Sequence, residues 1–371
     1  MPQDEQSRRR TATSAIELAV IVPSFNEYDN VEPMIQRLGT ALSGIEWEVI
    51  YVDDDSPDGT ATKVRELAQV NRRVRCVQRI GRRGLSTAVI EGILASSATY
   101  FAVIDADLQH DERLLPKMLG ILSGGAVDIV VGSRYVAGGG IGEWQKDRAV
   151  MSRFATRLAR LVLTADLSDP MSGFFMLTRP AFESAVRRLS GQGFKILLDL
   201  FASTPTPYRF KELPYVFGQR LHGESKLDTF VMWEYLMLLL EKLIGQFVPV
   251  RFVLFAAVGA SGVIVHLATL RLSLTVVEFP IAQTIATLVA MTSNFLLNNI
   301  LTYRDKRLHG TRLVTGLLSF YAVCGIGAVA NVGIASAAFA HNYAWWVSGL
   351  AGAAVGVVWN YAVSSVFTWR K

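Results

Sequence analysis

Asp105 and Asp107 close the apolar run Phe101-Ala102-Val103-Ile104 and are separated by one small residue, Ala106. Residues two apart at an extended strand end project to the same side, so both carboxylates can face one cation. Hard oxygen donors of this kind suit Mg2+ or Mn2+ held against a diphosphate, where the cation neutralises charge developing on a leaving nucleotide. Gln109 can add an amide oxygen to the set. Without a cation, two close acids repel and push one pKa up, so a cation is the simpler account. Taken alone, a D-x-D also suits a polar loop or a helix cap. His110 is expected beside the ligands or at the surface rather than on the metal.

A second acidic run, Asp53-Asp54-Asp55-Ser56-Pro57-Asp58-Gly59-Thr60, holds six acidic or hydroxyl side chains in eight positions, more than a turn requires. Asp58 or Thr60 suits the start of the following helix, because a side-chain oxygen there accepts from an unpaired N–H. The first aspartates, beside Pro23-Ser24-Phe25-Asn26-Glu27, suit ribose hydroxyls and base edges. Phe25 fits either packing against a base or a place in the core. Arg134 follows directly from a strand-like run and can engage a phosphate in bidentate fashion. Arg148 and Ser152 stand one helical turn apart in a stretch that also carries Arg153, Arg157 and Arg160. That pattern fits a phosphate site and a solvated or headgroup-facing helix equally well.

The elements that must position these residues alternate between two periods. Strand-like runs at Leu18–Pro23, Glu48–Asp53, Val74–Ile80, Tyr100–Asp105 and Asp128–Ser133 are separated by helical patterns at Val31–Leu42, Thr60–Gln69, Leu85–Ala95 and Arg113–Leu122. Such alternation predicts a mostly parallel sheet covered on both faces. Ligands of open sheets of this type bind beyond the C-terminal strand ends. Asn26, Glu27, Asp53–Asp55, Asp105, Asp107 and Arg134 all fall at those ends, which implies a nucleotide or sugar-phosphate enzyme.

Composition sets the frame. The chain has 371 residues, half of them hydrophobic, with a mean hydropathy of +0.30 that is high for a wholly soluble protein. Charge crowds the first two-thirds and is scarce after about Val250. The net charge of +5 is modest, and the scattered basic residues lack aromatic platforms, which excludes a nucleic-acid binder. Cys76 and Cys324 match no metal-ligand spacing and imply no structural disulfide. The polar N-terminus, with Arg8-Arg9-Arg10 but no apolar run behind it, reads as a disordered tail rather than a secretory signal.

Beyond Asp228 the texture changes. Phe230–Val248 is helical and rich in Leu and aromatics, yet Glu234, Glu241 and Lys242 interrupt it, as in a helix lying at a membrane interface. Phe252–Leu270, Ile281–Leu301, Leu313–Phe339 and Trp346–Phe367 each approach or exceed the roughly 20 residues that cross a bilayer. The loop Tyr303–Arg312 and the terminal Trp369-Arg370-Lys371 are basic, whereas Leu272–Pro280 and Ala340–Tyr343 hold no Lys or Arg. By the positive-inside rule the first domain, the central loop and the C-terminus share the cytoplasmic side. Asn294 and Thr302-Tyr303-Arg304 recur as Asn360 and Thr368-Trp369-Arg370, and Phe255 and Gly259 recur as Tyr321 and Gly325, all at an offset of 66. This repeat predicts two duplicated helical hairpins with one orientation. The polar span residues His266, Asn294, Asn298, Asn299 and Asn360 are expected to pack helix against helix.

The motifs Val22–Glu27, Val52–Thr60, Asp105–His110 and Gly132-Ser133-Arg134-Tyr135 together resemble family 2 inverting glycosyltransferases of the GT-A fold, and within them the dolichol-phosphate (polyprenol-phosphate) mannose synthases. Asp169-Pro170-Met171-Ser172-Gly173-Phe174-Phe175 and Arg220-Leu221-His222-Gly223-Glu224-Ser225-Lys226 extend the match, and the apolar half resembles a four-span GtrA-like domain. The resemblance implies a polar tail at 1–15, a Rossmann-like GT-A domain at 16–228, interfacial helices at 229–250 and a transmembrane domain at 251–371. It implies transfer of a sugar, most simply mannose from GDP-mannose, to a polyprenyl or dolichyl monophosphate, with Mg2+ or Mn2+ as cofactor, in an integral protein of a prokaryotic cytoplasmic membrane. Asp105, Asp107 and Gln109 would hold the metal; Pro23, Phe25, Glu27, Val52, Asp53, Asp54, Asp55, Ala106, Arg220 and Lys226 would join the two aspartates around the nucleotide sugar; Arg134, Arg148 and Ser152 would bind the acceptor phosphate. A lipid monophosphate is already anionic and needs no general base, so the site needs cations instead. A UDP-sugar donor, a membrane half that also flips the product lipid, and a catalytically idle binding protein are the competing readings.

Overall fold

The computed structural model describes residues 16–140, 158–159, 162–163, 165–191, 195–218, 229–245 and 248–370. Arg148, Ser152, Arg220 and Lys226 lie outside them. The chain divides into two units, Met1–Leu243 and Ile244–Lys371.

The first unit is built on a sheet of seven strands: β1 (Leu18–Ser24), β2 (Trp47–Asp53), β3 (Val74–Gln78), β4 (Tyr100–Val103), β5 (Ile129–Ser133), β6 (Phe175–Thr178) and β7 (Phe210–Pro214), in the order β3-β2-β1-β4-β6-β5-β7. β1 pairs in parallel with β2 and β4, and β2 with β3; β5 and β7 are also parallel. Only β6 runs against its neighbours, wedged between β4 and β5. β1 is apolar from Leu18 to Pro23 because both its faces are covered. Leu18, Val20 and Val22 meet Val31, Met34 and Leu38 of α1 (Tyr28–Ala41), Val64 of α2 (Thr60–Val70) and Met118 and Leu122 of α4 (Leu115–Ser123). Ala19 and Ile21 point the other way, toward α3 (Leu85–Leu94), α5 (Arg179–Ala185) and α6 (Ile196–Ser203), through Val89, Phe182, Leu197 and Leu200. This is the two-residue alternation of a strand feeding two cores. α3 lies so close that a Cβ on Gly92 would stand 2.5 Å from Ile21 Cγ2.

The predicted strands are present with shifted ends: β1 and β2 each gain one residue, and the other three are shorter. β3 stops at Gln78 rather than Ile80, because Arg79 turns inward while Ile80 is left exposed. β4 stops at Val103, two residues short of Asp105. The helix expected at Arg113–Leu122 begins as a 3-10 turn, Glu112–Leu114, and becomes α-helical from Leu115. β6 and β7 were not legible. β6 has four residues, and β7 contains Lys211, Glu212 and Pro214, which only an edge strand accommodates readily.

α7 (Thr229–Ile244) packs Tyr235, Leu238 and Leu239 on Leu198 and Ala159. Lys242 Nζ reaches the fully buried Asp199 at 2.5 Å, and that carboxylate also accepts from Ser190 and Ser203. The helix expected at a membrane interface is therefore pinned to the first unit through Lys242.

The second unit consists of α8 (Val250–Ser273), α9 (Phe279–Leu297), α10 (Thr311–Ala340) and α11 (Trp345–Phe367). Among the described residues three helices, Val250–Ser273, Ile281–Thr302 and Thr311–Ala330, are long and apolar enough to cross a membrane; Ala354–Phe367 is a shorter apolar helix. Val263, Ile264, Leu267, Leu318 and Val329 are exposed, an apolar surface that water would not tolerate but lipid would. The 66-residue repeat is visible in the packing. Tyr303 and Trp369, equivalent positions, stack on each other with centroids 4.1 Å apart and planes 7° from parallel. Equivalent wide-turn hydrogen bonds run from Tyr303 N to Asn298 O and from Trp369 N to Ser364 O. Asn294 and Asn360 each sit against a glycine of the neighbouring helix, Gly262 and Gly327.

Candidate functional site

The loops after β1, β2 and β4 leave the same edge of the sheet, and each contains a non-glycine residue with positive φ: Asn26 (55°), Asp55 (59°) and Leu108 (62°). Asn and Asp tolerate that region through local hydrogen bonds, whereas Leu does not, so Leu108 marks the strained loop. Its buried side chain, packed in the core under α1 and α4, holds the conformation in place.

The first two loops are laced together. Asn26 N donates to Ser56 Oγ (2.9 Å), Glu27 N to Thr60 Oγ1 (3.0 Å) and Tyr28 N to Asp58 (3.2 Å). All three consecutive aspartates build this lattice. Asp53 accepts from Ser56 N and Oγ; Asp54 from Arg79 Nη1 (2.8 Å) and Gly84 N (2.7 Å); Asp55 from Gln78 Nε2 and Gly81 N. Burial raises the Asp54 pKa, against the Gly84 N–H and the charge of Arg79, which lower it. A carboxylate has about four lone-pair directions, so these acids can still accept from a ribose, but structural work occupies part of each. Val52 lies wholly in the core, which leaves only its backbone for a ligand. Pro23 is half-buried, and Glu27 accepts from Asn30 Nδ2. Phe25 is half-buried, with the Arg83 guanidinium 4.0 Å from its ring centroid, so its face takes a flat polar group rather than the core.

Beyond β4, Asp105 and Asp107 lie in a turn rather than on an extended strand end, since the strand has already ended at Val103. Ala106 is buried, Asp107 is almost so, and Asp107 Oδ1 accepts from Gln109 N (3.2 Å). Asp105 Oδ2 lies 3.1 Å from His110 Nε2, whose Nδ1 lies 2.8 Å from the Tyr215 hydroxyl. Burial pushes the Asp105 carboxyl upward, but the hydrogen bond and charge of His110, with Lys195 and Arg134, hold it below the usual carboxylate range. Gly173 backs the same carboxylate; a Cβ there would stand 2.6 Å from Oδ2. Gln109 donates Nε2 to Gly218 O (2.9 Å), which keeps its amide oxygen as the remaining side-chain donor atom to a cation.

Arg134 follows β5 as expected, and it meets Asp169, donating from N (3.1 Å), Nε (2.8 Å) and Nη2 (2.7 Å). Burial would lower the Arg134 pKa, but this fork-to-carboxylate pairing raises it. Asp169 is itself fixed by the loop in which Glu212 accepts from Ser168 N and Asp169 N. Lys195, at the start of α6, completes the basic side; burial lowers its pKa, helped by Arg134 and opposed by Asp105 and Asp169. Asp169 fell inside a motif noticed in the sequence, but its partnership with Arg134 was not legible. Lys195, Arg79 and Tyr215 carried no signal at all, since single polar residues in unremarkable contexts become functional only through what they meet.

The donor set fits a hard divalent cation. Among the described residues no cluster of three or more His, Cys, Asp or Glu encloses an ion. Two carboxylates and one amide oxygen leave the remaining positions to substrate phosphates and water, as Mg2+ and Mn2+ sites of nucleotide enzymes require. Lys195 and Arg134 both act by charge on Asp105, and the Arg134 fork, expected from the sequence to engage a phosphate, is taken by Asp169.

Comparison with known proteins finds relatives of both units. The family model described as Glycosyl transferase family 2 matches residues 19–185, and the one described as GtrA/DPMS, transmembrane domain, matches residues 254–369. The dolichol-phosphate mannosyltransferase of Pyrococcus furiosus is 34% identical over 357 residues, covering 95% of this chain and 99% of that protein. The dolichol-phosphate mannosyltransferase of Saccharomyces cerevisiae is 39% identical over 250 residues, covering 65% and 92%. Among solved structures, glucosyl-3-phosphoglycerate synthase from Mycobacterium tuberculosis, in complex with Mn2+, uridine-diphosphate and glucosyl-3-phosphoglycerate, aligns at a TM-score of 0.45 with 20% identity, covering 61% of this chain and 79% of that one.

Proposed function

From the premise that this chain belongs to the dolichol-phosphate mannosyltransferase family, a family 2 glycosyltransferase domain joined to a GtrA/DPMS transmembrane domain, we propose that it transfers mannose from GDP-mannose to a polyprenyl or dolichyl monophosphate with inversion of the anomeric configuration. The observation that carries this reading is the relative from P. furiosus, alike across both units. The strand-end site supplies the physical rationale. Asp105, Asp107 and the amide oxygen of Gln109 would hold Mg2+ or Mn2+, and the cation would neutralise charge on the departing diphosphate. An oxygen of the lipid phosphate attacks the anomeric carbon as the bond to the nucleoside diphosphate breaks, and the electron pair leaves with that diphosphate. No proton has to be removed from the acceptor, so no general base is called for. Arg134 and Lys195 balance the charge of two anionic substrates brought together, and Arg148 and Ser152 are proposed to bind the acceptor phosphate. Arg220 and Lys226 are proposed to approach the donor diphosphate.

The acceptor lipid resides in a bilayer, and the apolar second unit keeps the enzyme there. The basic Tyr303–Arg312 loop and C-terminus support a reading with the catalytic unit on the cytoplasmic side of four spans, in a prokaryotic cytoplasmic membrane. The test is transfer by the purified full-length enzyme, offered labelled nucleotide sugars and short polyprenyl phosphates, with the product's anomeric configuration read by NMR. GDP-mannose is expected to be used in strong preference, with inversion. A strict preference for a UDP-sugar, or retention of configuration, overturns the reading.

A further inference from the structure

His110 is nearly wholly buried behind Asp105. Its ring stacks on Phe174 (5.2 Å, 26°) and meets Tyr215 and the edge of Phe217 at 5.6 and 5.4 Å. Within this aromatic box both ring nitrogens have partners: Asp105 Oδ2 on Nε2 and the Tyr215 hydroxyl on Nδ1. An ionised carboxylate can only accept, so Nε2 carries a proton. The contacts therefore form one continuous chain, from Tyr215 through His110 to Asp105.

We propose that Tyr215 and His110 are positioning residues that set the orientation of Asp105 for a divalent cation. Asp105 Oδ2 is caught between His110 Nε2 and the bare backbone of Gly173, where a Cβ would stand 2.6 Å from it. With one oxygen caught, the carboxylate has little freedom to rotate, and the second oxygen is presented in a narrow range of directions. The segment carrying Tyr215 also holds the other side of the motif. Gly218 N donates to Gln109 O (2.8 Å), and Gly218 O accepts from Gln109 Nε2 (2.9 Å). Residues 215–218 thus brace the carboxylate through His110 and the amide through Gly218. An outer partner that fixes a ligand's orientation without touching the metal is worth about 10- to 100-fold in metal affinity.

This inference rests on the reading of Asp105 as a cation ligand, and the experiment separates the two. Mn2+ is titrated into the full-length enzyme in detergent with GDP present, and bound Mn2+ is followed by electron paramagnetic resonance. Asp105→Asn tests the ligand; His110→Phe, His110→Gln and Tyr215→Phe test the relay. His110→Phe is expected to weaken Mn2+ by about 10- to 100-fold. Tyr215→Phe, which removes one hydrogen bond, is expected to weaken it by about tenfold or less. His110→Gln, whose amide N–H can still donate to Asp105, is expected to recover much of the loss. Transfer assays should show the Mn2+ concentration for half-maximal rate shifted while kcat at saturating Mn2+ is largely kept; a defect of folding alone lowers the rate equally at every Mn2+ concentration. If Asp105→Asn loses Mn2+ while both His110→Phe and Tyr215→Phe bind it as the wild type does, the relay is overturned and the ligand stands. If Asp105→Asn binds Mn2+ unchanged, the ligand reading falls and the relay with it. Should His110→Phe fail to fold, Tyr215→Phe and His110→Gln decide the outcome.

Discussion

Gly173→Ala is the smallest change that reaches the candidate metal site, and its effect can be worked from the coordinates. The added Cβ would stand 2.6 Å from Asp105 Oδ2 and 3.0 Å from Oδ1. Ordinary contact begins near 3.4 Å, so the carboxylate must retreat by about 0.8 Å or the Gly173 backbone must shift by as much. Either movement strains the 3.1 Å hydrogen bond to His110. Metal–ligand distances tolerate only about ±0.2 Å, and a misplacement near 1 Å at a reacting centre costs on the order of 100-fold. The backbone at Gly173 is not left-handed, so alanine incurs no conformational strain of its own there. Gly173→Ala is therefore expected to retain its fold while kcat/KM for sugar transfer falls by about 100-fold, with more Mn2+ needed for half-maximal rate. The assay is initial-rate transfer from a nucleotide sugar to a short polyprenyl phosphate across a Mn2+ series, alongside thermal unfolding of the same preparation. A variant as active as wild type, with an unchanged Mn2+ requirement, would refute the claim that Asp105 must stay where Gly173 and His110 place it.

Other perturbations probe the frame around the site. Asp169→Ala leaves the Arg134 guanidinium buried without its carboxylate, a loss of about 3–5 kcal/mol, and an unchanged urea midpoint would contradict it. Asp58 caps the loop before α2 by accepting from Tyr28 N, Thr60 N and Thr60 Oγ1, so Asp58→Ala should cost about 1 kcal/mol. Burial raises the Asp58 pKa, but the hydrogen bonds from Thr60 and Tyr28 outweigh it and hold the carboxyl below its usual range. Its contribution is therefore complete above the unfolded value of about 3.9 and is lost as pH falls through the lower folded value. Unfolding midpoints measured across acid pH should show that portion of the acid sensitivity missing in Asp58→Asn. In the second unit, Gly262→Ala and Gly327→Ala drive a methyl into the Asn294 and Asn360 carboxamides; each should destabilise the helices by about 1–3 kcal/mol, read as unfolding in detergent, and wild-type stability would count against the close packing.

The acidic loops show how far local pattern carries. Asp105 and Asp107 stood out as candidates because two carboxylates follow directly on an apolar run. Asp53, Asp54 and Asp55 produced the same signal, yet each is also a strut: Arg79, Gly84, Ser56, Gln78 and Gly81 meet them across the loop. Nothing in the spelling of the run separates a ligand from a strut. Arg134 was identifiable as a strand-end cation, but its pairing with Asp169, 35 positions away, was not. β6 escaped notice because four residues are too few to show a period, and β7 because its charges and proline mimic a loop.

The alternation of strand and helix, the acidic strand ends, the apolar stretches and their 66-residue repeat were all determined by the sequence itself. Periodicity, hydropathy and spacing are properties of neighbouring residues, and a buried strand or an apolar helix needs no distant partner to declare itself. The tertiary structure alone decided which side chains work together. It set Tyr215 behind His110 across 105 positions, turned Arg79 onto Asp54, inserted β6 against the direction of its neighbours and stacked Tyr303 on Trp369. Such pairings depend on the closure of long loops, whose cost grows only slowly with length, so the chain leaves no local mark of which distant residue will be met. The pair Asp105 and Asp107 lies on both sides of that line: its candidacy could be read from two letters, but the contacts of Asp105 with Gly173 and His110, and of His110 with Tyr215, exist only once the chain is folded.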